Sequence, residues 1–227
     1  MSFVFVWGLD MITSFSVYQR ALNKGRNYVS IEVDYKLIHL VFIRLKKCNM
    51  TNKLEKWEEI SREEIFSKYG RGIEKVDFKL PNGEITDFYI KKESVFVATL
   101  AITKDEKIIL VKQFRPGPKE ILTELPGGYV DKGEIPKQAA ERELLEETGY
   151  KGSAEFVTSI IGDGYSTMEK NCVVVTDCEK VSEQKLEENE FTEVVLMSIA
   201  EFRELLRSGK SSDVEVGYLG LDYLGLL

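Results

Sequence analysis

The chain has 227 residues, of which 43% are hydrophobic and 30% charged, proportions that are typical of an ordinary soluble protein with one large domain or one domain plus an appendage. Its net charge of −7 argues against a general binder of nucleic acid or of membrane surfaces. The only histidine, His39, excludes a multi-histidine metal site and leaves acid–base chemistry to carboxylates. The three cysteines have no metal-binding spacing and indicate reduced thiols in a cytoplasmic protein.

Residues 1–49 differ in character from the rest of the chain. Their apolar start lacks the basic residues of a signal peptide, and the apolar stretch 35–45 is too short to span a bilayer. Alternating apolar residues over 31–37 predict a strand, but the segment contains no motif that indicates a catalytic or binding role. Two interpretations stay open: Met50 is the true first residue, or the segment is a genuine extension that adds a strand or a helix.

A β region is predicted over residues 50–94. Alternating apolar residues at 72–80 and 84–90 flank Pro81-Asn82-Gly83, a strong turn signal, and predict a hairpin. Apolar runs at 95–103 and 107–114 predict a second hairpin, which begins the domain expected to extend to residue 227.

The second half of the chain alternates strands with helices. Strands are predicted at 121–125, 154–161, 171–176 and 191–198. Ser198 and Glu201 form a capping box before a helix with apolar Phe202, Leu205 and Leu206, which ends at Gly209, and a last helix is predicted over 213–224. The order of elements indicates an α+β protein with a mixed sheet between helices.

A helix is predicted between Pro136, which suits a first turn, and Gly149, which suits a left-handed end. Within it, Glu143, Glu146 and Glu147 lie three and four residues apart, so that their carboxylates share one helix face. Like charges at this spacing repel each other, and a hard divalent cation with oxygen ligands would remove the conflict. The alternative is a solvated acidic face without a ligand.

The apolar residues of this helix predict its packing. At 100° per residue, Ala139 and Ala140 fall on the side of the three glutamates, where small side chains leave room above the carboxylates. Leu144 and Leu145 are predicted to point elsewhere, toward a core.

This segment resembles the Nudix box, in which glycine and glutamate precede a helix that carries Arg-Glu, an aliphatic residue and Glu-Glu, followed by glycine and an apolar residue, all at fixed spacings. Nudix enzymes hydrolyse nucleoside diphosphates linked to another group with the help of divalent metal, on an α/β/α sandwich with a mixed sheet. Every specified position of the box is filled, by Gly128, Glu134, Arg142, Glu143, Leu144, Glu146, Glu147, Gly149 and Tyr150.

The resemblance implies a role for each acidic residue of the box. It implies that Glu143, Glu146 and Glu147 hold two or three Mg²⁺ or Mn²⁺ ions. Arg142 would brace the helix by pairing with Glu134, although Glu134 could instead reach the metal through water.

The two glycines before the helix have alternative roles. Gly127 would supply a backbone carbonyl to a metal, by the same resemblance. Alternatively, Gly127 and Gly128 only permit a tight turn between strand and helix.

Outside the box, residues 111–115, 124–128 and the hairpin at 80–83 resemble the ADP-ribose and ADP-sugar pyrophosphatases. The resemblance implies a homodimer in which the early hairpin pairs with a second subunit. It also implies that Arg115 and Glu124 bind substrate, with Arg115 facing the diphosphate or the sugar. A surface ion pair is the alternative role of Arg115.

The acidic loop 184–191 is the expected source of a catalytic base. In the resembling subgroup a glutamate from this loop activates the attacking water or binds a metal, and Glu188 and Glu190 match its acidic positions. Glu190 is preferred because it adjoins the next strand. The alternative is charge that is simply solvated.

The loop 162–169 departs from the ADP-ribose pattern because it lacks a proline. Tyr165 lies near the position of a base-stacking tyrosine in dinucleoside polyphosphate hydrolases, and Glu169 resembles an acidic residue of ADP-sugar enzymes; Tyr165 can equally be a core or rim aromatic. The expected reaction is hydrolysis of ADP-ribose to AMP and ribose 5-phosphate. The alternatives are GDP-mannose or another nucleotide sugar, a dinucleoside polyphosphate, a modified nucleoside triphosphate, or a domain that senses a nucleotide sugar without turnover.

Overall fold

The computed structural model describes residues 16–19, 29–32, 44–47, 54–186 and 188–227. The chain divides into two compact units, one within residues 1–62 and 76–88 and the other comprising 63–75 and 89–227. The sequence-based boundaries after residues 49 and 94 stay a prediction.

Two small sheets form the first part of the chain. One contains β1 (Ser16–Gln19), β2 (Val29–Glu32) and β3 (Arg44–Lys47), paired antiparallel in that order. Strand β2 covers the start of the alternation predicted at 31–37, and the remainder lies outside the described residues. The other sheet has the order β4 (Glu58–Lys68), β5 (Arg71–Lys79), β6 (Ile85–Glu93), which confirms the predicted hairpin.

A seven-stranded mixed sheet forms the body of the second unit. Its path is β11-β12-β7-β8-β13, with β10 paired to β7 and β9 to β8. The pair β12–β7 is parallel, whereas the other pairs are antiparallel. The strands are β7 (Phe96–Thr103), β8 (Lys107–Arg115), β9 (Glu120–Glu124), β10 (Gly127–Tyr129), β11 (Tyr150–Ile161), β12 (Glu169–Lys180) and β13 (Thr192–Ser198).

Helices cover both faces of this sheet. On one face, Leu100 and its alternate neighbours pack against α2 (Ile199–Ser208) and α3 (Val214–Tyr223). On the other face, Val97 and Val173 pack against α1 (Pro136–Thr148). Because alternate residues of a strand point to opposite faces, one sheet serves two cores. The predicted α/β/α sandwich is confirmed.

The predicted bounds of α1 agree with the structure. The helix starts at Pro136 and ends at Gly149, which adopts the left-handed φ of 76° that glycine tolerates. Ala139 and Ala140 are completely buried in the core beneath the helix rather than leaving room above the carboxylates, and this prediction was wrong. Leu145, predicted to face the core, is partly exposed, because the side turned to the sheet ends near Leu144.

The predicted capping box of α2 is present, since Glu201 accepts a hydrogen bond from Ser198 N at 2.8 Å and its own N–H donates to Ser198 Oγ at 3.3 Å. Phe202 and Leu206 are buried, and Gly209 closes the helix with a φ of 67°. Across the ranges that the structure describes, every helix is too short or too polar to cross a bilayer.

Candidate active site

The last two turns of α1 lie against strand β10. Glu147 is only 7% exposed, and its Oε2 accepts a hydrogen bond of 2.9 Å from Gly127 N. A Cβ atom on Gly128 would lie 2.2 Å from Oε1 of Glu143, so the absence of a side chain there lets this carboxylate approach the backbone. Glu143 and Glu147 therefore share one small space beside the double glycine.

Gly127 and Gly128 lie within β10 rather than in a turn, and neither has a positive φ. A Cβ on Gly127 would come within 2.2 Å of the carbonyl oxygen of Val97 on the paired strand. The sequence-based alternative of a tight turn was therefore wrong. These glycines permit close approach on both sides of β10.

Arg142 holds the acidic residues together. Its Nε and Nη2 donate to the two carboxylate oxygens of Glu134 at 3.1 and 3.0 Å, and Nη2 also donates to Tyr129 O at 3.0 Å. Its Nη1 donates to Glu143 at 2.7 Å and to Glu146 at 3.3 Å. The pKa of Glu134 is lowered, chiefly by its hydrogen bonds with Arg142. This is the bracing arrangement that the sequence predicts for Arg142 and Glu134.

Burial and mutual repulsion make the two inner carboxylates unusual. The pKa of Glu147 is raised to about 8, chiefly by burial and also by the charges of Glu143 and Glu190, whereas the N–H of Gly127 and the charge of Arg115 lower it. Burial also raises the pKa of Glu143, against the effect of Arg142 and together with that of Glu146 and Glu190. Glu190 is thus within electrostatic reach of both residues, although it lies more than forty positions later in the sequence.

The donor set suits a hard divalent cation. Glu143, Glu146 and Glu147 offer carboxylate oxygens, and the negative charges that raise the pKa of Glu147 would be neutralised by such an ion. In the part of the chain that the structure describes, no three acidic, histidine or cysteine side chains already form a metal cage. The physical reason is Arg142, which draws Glu143 and Glu146 toward itself. The types of side chain present, three carboxylates on adjacent helix turns, fit such an ion.

The segment after β12 is tied to the end of α1. Lys185 N donates to the carbonyl oxygen of Glu146 at 2.8 Å, and Gln184 Nε2 donates to that of Glu147 at 2.6 Å. We call residues 181–185 the clasp. It fixes the start of the acidic loop relative to the helix turn that carries two of the predicted metal ligands.

Beyond the clasp, Glu188 and Glu190 are both exposed. Glu190 lines a cavity of about 720 Å³, which we call the loop cavity. Its wall includes the large apolar side chains of Phe114, Ile121 and Phe191, each more than half exposed. Of the two predicted bases, Glu190 is the one whose charge raises the pKa of Glu143 and Glu147.

Arg115 lies at the end of β8, beside the turn that leads to β9. Its Nε donates to Oε2 of Glu124 at 2.7 Å, and Glu124 is completely buried. Arg115 is therefore paired with an interior carboxylate rather than with a surface one, which contradicts the alternative of a surface ion pair. The charge of Arg115 lowers the pKa of Glu147, so this guanidinium is also near the acidic cluster.

Arg115 and Glu124 line a second cavity of about 370 Å³, the turn cavity. It lies between the β8–β9 turn and the start of α3. Sequence reasoning missed several of its residues, because they are far apart in the chain and belong to no motif. They are Arg71, Phe96, Tyr129, Lys170 and Asp213.

Tyr165 and Glu169 line neither of these cavities. Tyr165 is 58% exposed, and its loop is fixed to β6 by a hydrogen bond of 2.8 Å from Lys91 N to Tyr165 O. Glu169 is exposed and accepts a hydrogen bond from Ser159 Oγ at 3.1 Å. The structure therefore does not place these two predicted substrate residues in the cavity wall with Arg115 and Glu124, although Met168 and Lys170, on either side of Glu169, belong to it.

This fold and this site define a diphosphate-bond hydrolase of one family. Residues 93–216 match the NUDIX domain, and the chain belongs to the NUDIX family. Nudix hydrolases act on small nucleotide substrates and generally use divalent metals.

Two curated relatives match most of the chain. It is 34% identical over 170 residues to the ADP-ribose pyrophosphatase of Bacillus subtilis (strain 168), covering 74% of this chain and 91% of that protein. It is 30% identical over 177 residues to the methanol dehydrogenase activator of Bacillus methanolicus, covering 77% and 95%. A solved structure described as an ADP compounds hydrolase has the same fold, with a TM-score of 0.67, 22% identity, and coverage of 78% of this chain and 100% of that one.

Proposed function

We propose that the protein hydrolyses the diphosphate bond of a nucleoside diphosphate sugar, with ADP-ribose as the substrate and AMP and ribose 5-phosphate as the products. The observation that carries the proposal is the pair of carboxylates, buried Glu147 and partly buried Glu143, held against Gly127 and Gly128. The similarity to the Bacillus subtilis ADP-ribose pyrophosphatase over 91% of its length supports the choice of substrate.

In this proposal Glu143, Glu146, Glu147 and the carbonyl oxygen of Gly127 hold two or three Mg²⁺ or Mn²⁺ ions. When bound, such ions neutralise the diphosphate oxygens and lower the pKa of a coordinated water. Arg142 keeps the helix turn in place through Glu134, and Glu143, which now accepts a hydrogen bond from Arg142, would also be available to hold an ion.

Glu190 accepts the proton of the attacking water in this proposal, and Glu188 is the alternative base. Glu190 is favoured because its charge already acts on Glu143 and Glu147. Arg115 contacts a phosphate oxygen of the substrate, and Glu124 orients the guanidinium of Arg115 from within the sheet.

The direct test is a panel of nucleotide sugars and dinucleoside polyphosphates, incubated with Mg²⁺ and read by product mass. ADP-ribose should yield AMP and ribose 5-phosphate, and EDTA should abolish both products. A preference for GDP-mannose would keep the proposed reaction and change only the substrate. The absence of proline from the loop 162–169 favours that outcome. Binding of ADP-ribose without products would indicate a sensor, and pyrophosphate release from a nucleoside triphosphate would indicate a different reaction; either result contradicts the proposal.

We also propose that the protein is a cytoplasmic homodimer that associates through the early β region. Apolar side chains in the first unit support this: Trp57, Ile60 and Ile85 are 46%, 47% and 62% exposed. Trp57 packs with Phe78 and Phe88 at ring-centroid distances of 6.1 and 5.1 Å, which gives a rigid aromatic surface. Exposed aromatic clusters of this kind favour protein–protein contacts.

A further inference from the structure

The clasp caps the end of α1. A helix leaves its last carbonyl groups without partners inside the helix, so these groups need donors from elsewhere. Donors of the clasp reach three carbonyl oxygens at this end, over distances of 2.6 to 3.2 Å. The pairs are Gln184 Nε2 with Glu147 O, Lys185 N with Glu146 O, and Val181 N and Ser182 N with Gly149 O. The two backbones approach closely, because a Cβ atom on Gly149 would lie 2.1 Å from Ser182 O.

Gln184 differs from the other donors of the clasp because it uses its side chain. The same Nε2 atom also donates to Thr192 Oγ1 at 3.0 Å. Thr192 is the first residue of β13, and its pairing opposite Gln113 of β8 fixes it in the sheet. One partly buried amide group therefore connects the end of the helix with the sheet. We call these two hydrogen bonds the amide link.

The amide link also joins the two ends of the acidic loop. Gln184 is the first residue of the loop and Thr192 follows its last, so one amide group holds both ends. Glu190 is two residues before Thr192, and two residues span at most roughly 7 Å. The link therefore limits how far Glu190 can lie from the end of α1.

The charges of the site agree with this placement. Burial is the largest cause of the raised pKa of Glu143 and Glu147, and the charge of Glu190 adds to it. Like charges repel each other, so a loosely attached loop would carry Glu190 away from α1. The amide link opposes this displacement.

We propose that Gln184 is a positioning residue: through the amide link it holds the acidic loop, and with it Glu190, against the turn of α1 that carries Glu146 and Glu147. The inference rests on the proposed function for the role of Glu190 as the base, whereas the attachment of the loop can be tested without turnover. A displacement on the order of 1 Å can lower a rate by about 10²-fold, so the attachment affects kcat although Gln184 acts only through Glu190.

Substitution of Gln184 by methionine removes the donors and keeps a side chain of similar length. In steady-state hydrolysis of ADP-ribose, or of whichever nucleotide sugar the parent chain hydrolyses, Gln184→Met should lower kcat roughly tenfold and leave KM within about twofold, because Glu190 acts in the chemical step. Thr192→Val removes one acceptor of the link and should also lower kcat. Thr192→Ser keeps the hydroxyl and should recover the rate that Thr192→Val loses.

A matched control is Lys180→Met, which removes a lysine from an exposed ion pair with Glu183 beside the clasp and should leave kcat unchanged. Thermal unfolding of each variant separates loss of fold from loss of rate. If Gln184→Met does not fold, Thr192→Val breaks the same link and takes its place.

The decisive comparison uses a Glu190→Gln background. A positioning residue has no effect once the group that it positions is gone, so Gln184→Met should cause no further loss of kcat there. A further tenfold loss in that background overturns the proposal. An unchanged kcat of the folded Gln184→Met protein, with Glu190 present, overturns it as well.

Hydrogen exchange tests the attachment without turnover. In Gln184→Met, the backbone amides of residues 186–191 should exchange roughly fivefold faster, as expected for the loss of one hydrogen bond, whereas those of β7 should not change. Unchanged exchange of the loop overturns the proposal. A parent chain that hydrolyses no nucleotide sugar contradicts the proposed function, and faster exchange of the loop would then still support its attachment by Gln184.

Discussion

Glu147 combines a buried position with two negative neighbours and only one backbone donor. Burial and these negative neighbours together raise its pKa to about 8. A strongly raised pKa of a carboxylate in a cleft is typical of functional sites, because a structural carboxylate is usually paired with a cation. Arg142 pairs with Glu143 at 2.7 Å, whereas Glu147 accepts a backbone hydrogen bond from Gly127 and is affected by the charge of Arg115.

We predict that Glu147→Gln and Glu146→Gln each lower kcat at least ~10²-fold, by analogy with the loss of one electrostatic stabiliser of a transition state. Gln keeps the size of the side chain and cannot carry the charge. Steady-state hydrolysis of ADP-ribose with Mg²⁺ measures the effect, and Glu155→Gln on the exposed side of β11 is the control. Full activity of both variants would contradict the assignment of these glutamates as metal ligands.

Gly128→Ala tests the close approach of Glu143 without touching any charge. The added Cβ would lie 2.2 Å from Oε1 of Glu143, so the carboxylate must move, and we expect a loss of activity of about 10-fold or more. Gly164→Ala is the control, because no heavy atom lies within 4 Å of its Cβ and its φ is not positive. An active Gly128→Ala enzyme with unchanged metal dependence would show that Glu143 need not lie there.

At the level of elements, the position of α3 depends on a glycine. A Cβ on Gly220 would meet Cδ2 and Cβ of Leu100 at 2.6 and 2.8 Å, and Leu100 is completely buried. The helix therefore lies as close to the sheet as the backbone allows. Ser212 and Asp213, the two residues just before α3, line the turn cavity, so the same close packing positions that wall.

Gly220→Ala should lower the free energy of unfolding by about 1–3 kcal/mol, because overpacking at Leu100 outweighs the gain of up to ~1 kcal/mol in helix propensity. Chemical denaturation of the variant measures this change. Asp222→Ala, an exposed position of the same helix, isolates the propensity contribution. A Gly220→Ala protein more stable than the parent would mean that Leu100 yields without cost.

Local sequence signals predict the helices and strands well, but they do not predict which distant residues come together in space. Pro136 and Gly149 give both ends of α1, because each acts through its own backbone preference. Helical periodicity did not reveal which side of α1 faces the sheet, and so the burial of Ala139 and the exposure of Leu145 were not predicted. Lys170 joins the turn cavity only through the β12–β7 pairing and the placement of α3, which no short motif encodes.

At the level of the whole molecule, the two cores share one sheet, and two cysteines lie within them. Burial raises the pKa of both Cys172 and Cys178 to about 12. Both side chains are nearly inaccessible, at 0% and 3% exposed. A thiol in this state is neither nucleophilic nor open to reagents until the sheet separates.

In a Cys48→Ser variant, we therefore expect a thiol reagent at pH 8 to label neither remaining cysteine in the folded protein and both in denaturant. Absorbance of the released chromophore counts the reacted thiols directly. Fast labelling without denaturant would indicate that one face of the sheet opens under native conditions.

The proposed dimer predicts a sharp response to charge in the first unit. Trp57→Glu places a carboxylate in the exposed aromatic cluster with Phe78 and Phe88, so the mass in solution should fall from that of a dimer to that of a monomer. Light scattering on a sizing column provides the measurement. Tyr223→Glu, at an exposed aromatic of α3, should leave the mass unchanged. A parent chain that is already monomeric contradicts the proposal.

The clasp limits where the length of the chain can change near the candidate active site. Gln184 and Lys185 bond to the main chain of Glu147 and Glu146, so an insertion or deletion within residues 181–185 would disturb the contact with this helix turn. We expect insertions and deletions to be tolerated better between the clasp and β13, a window of about six positions that contains both candidate bases, than within the clasp. During evolution, residues in that window can therefore change, and with them the substrate preference, while the helix turn that carries the predicted metal ligands stays unaltered.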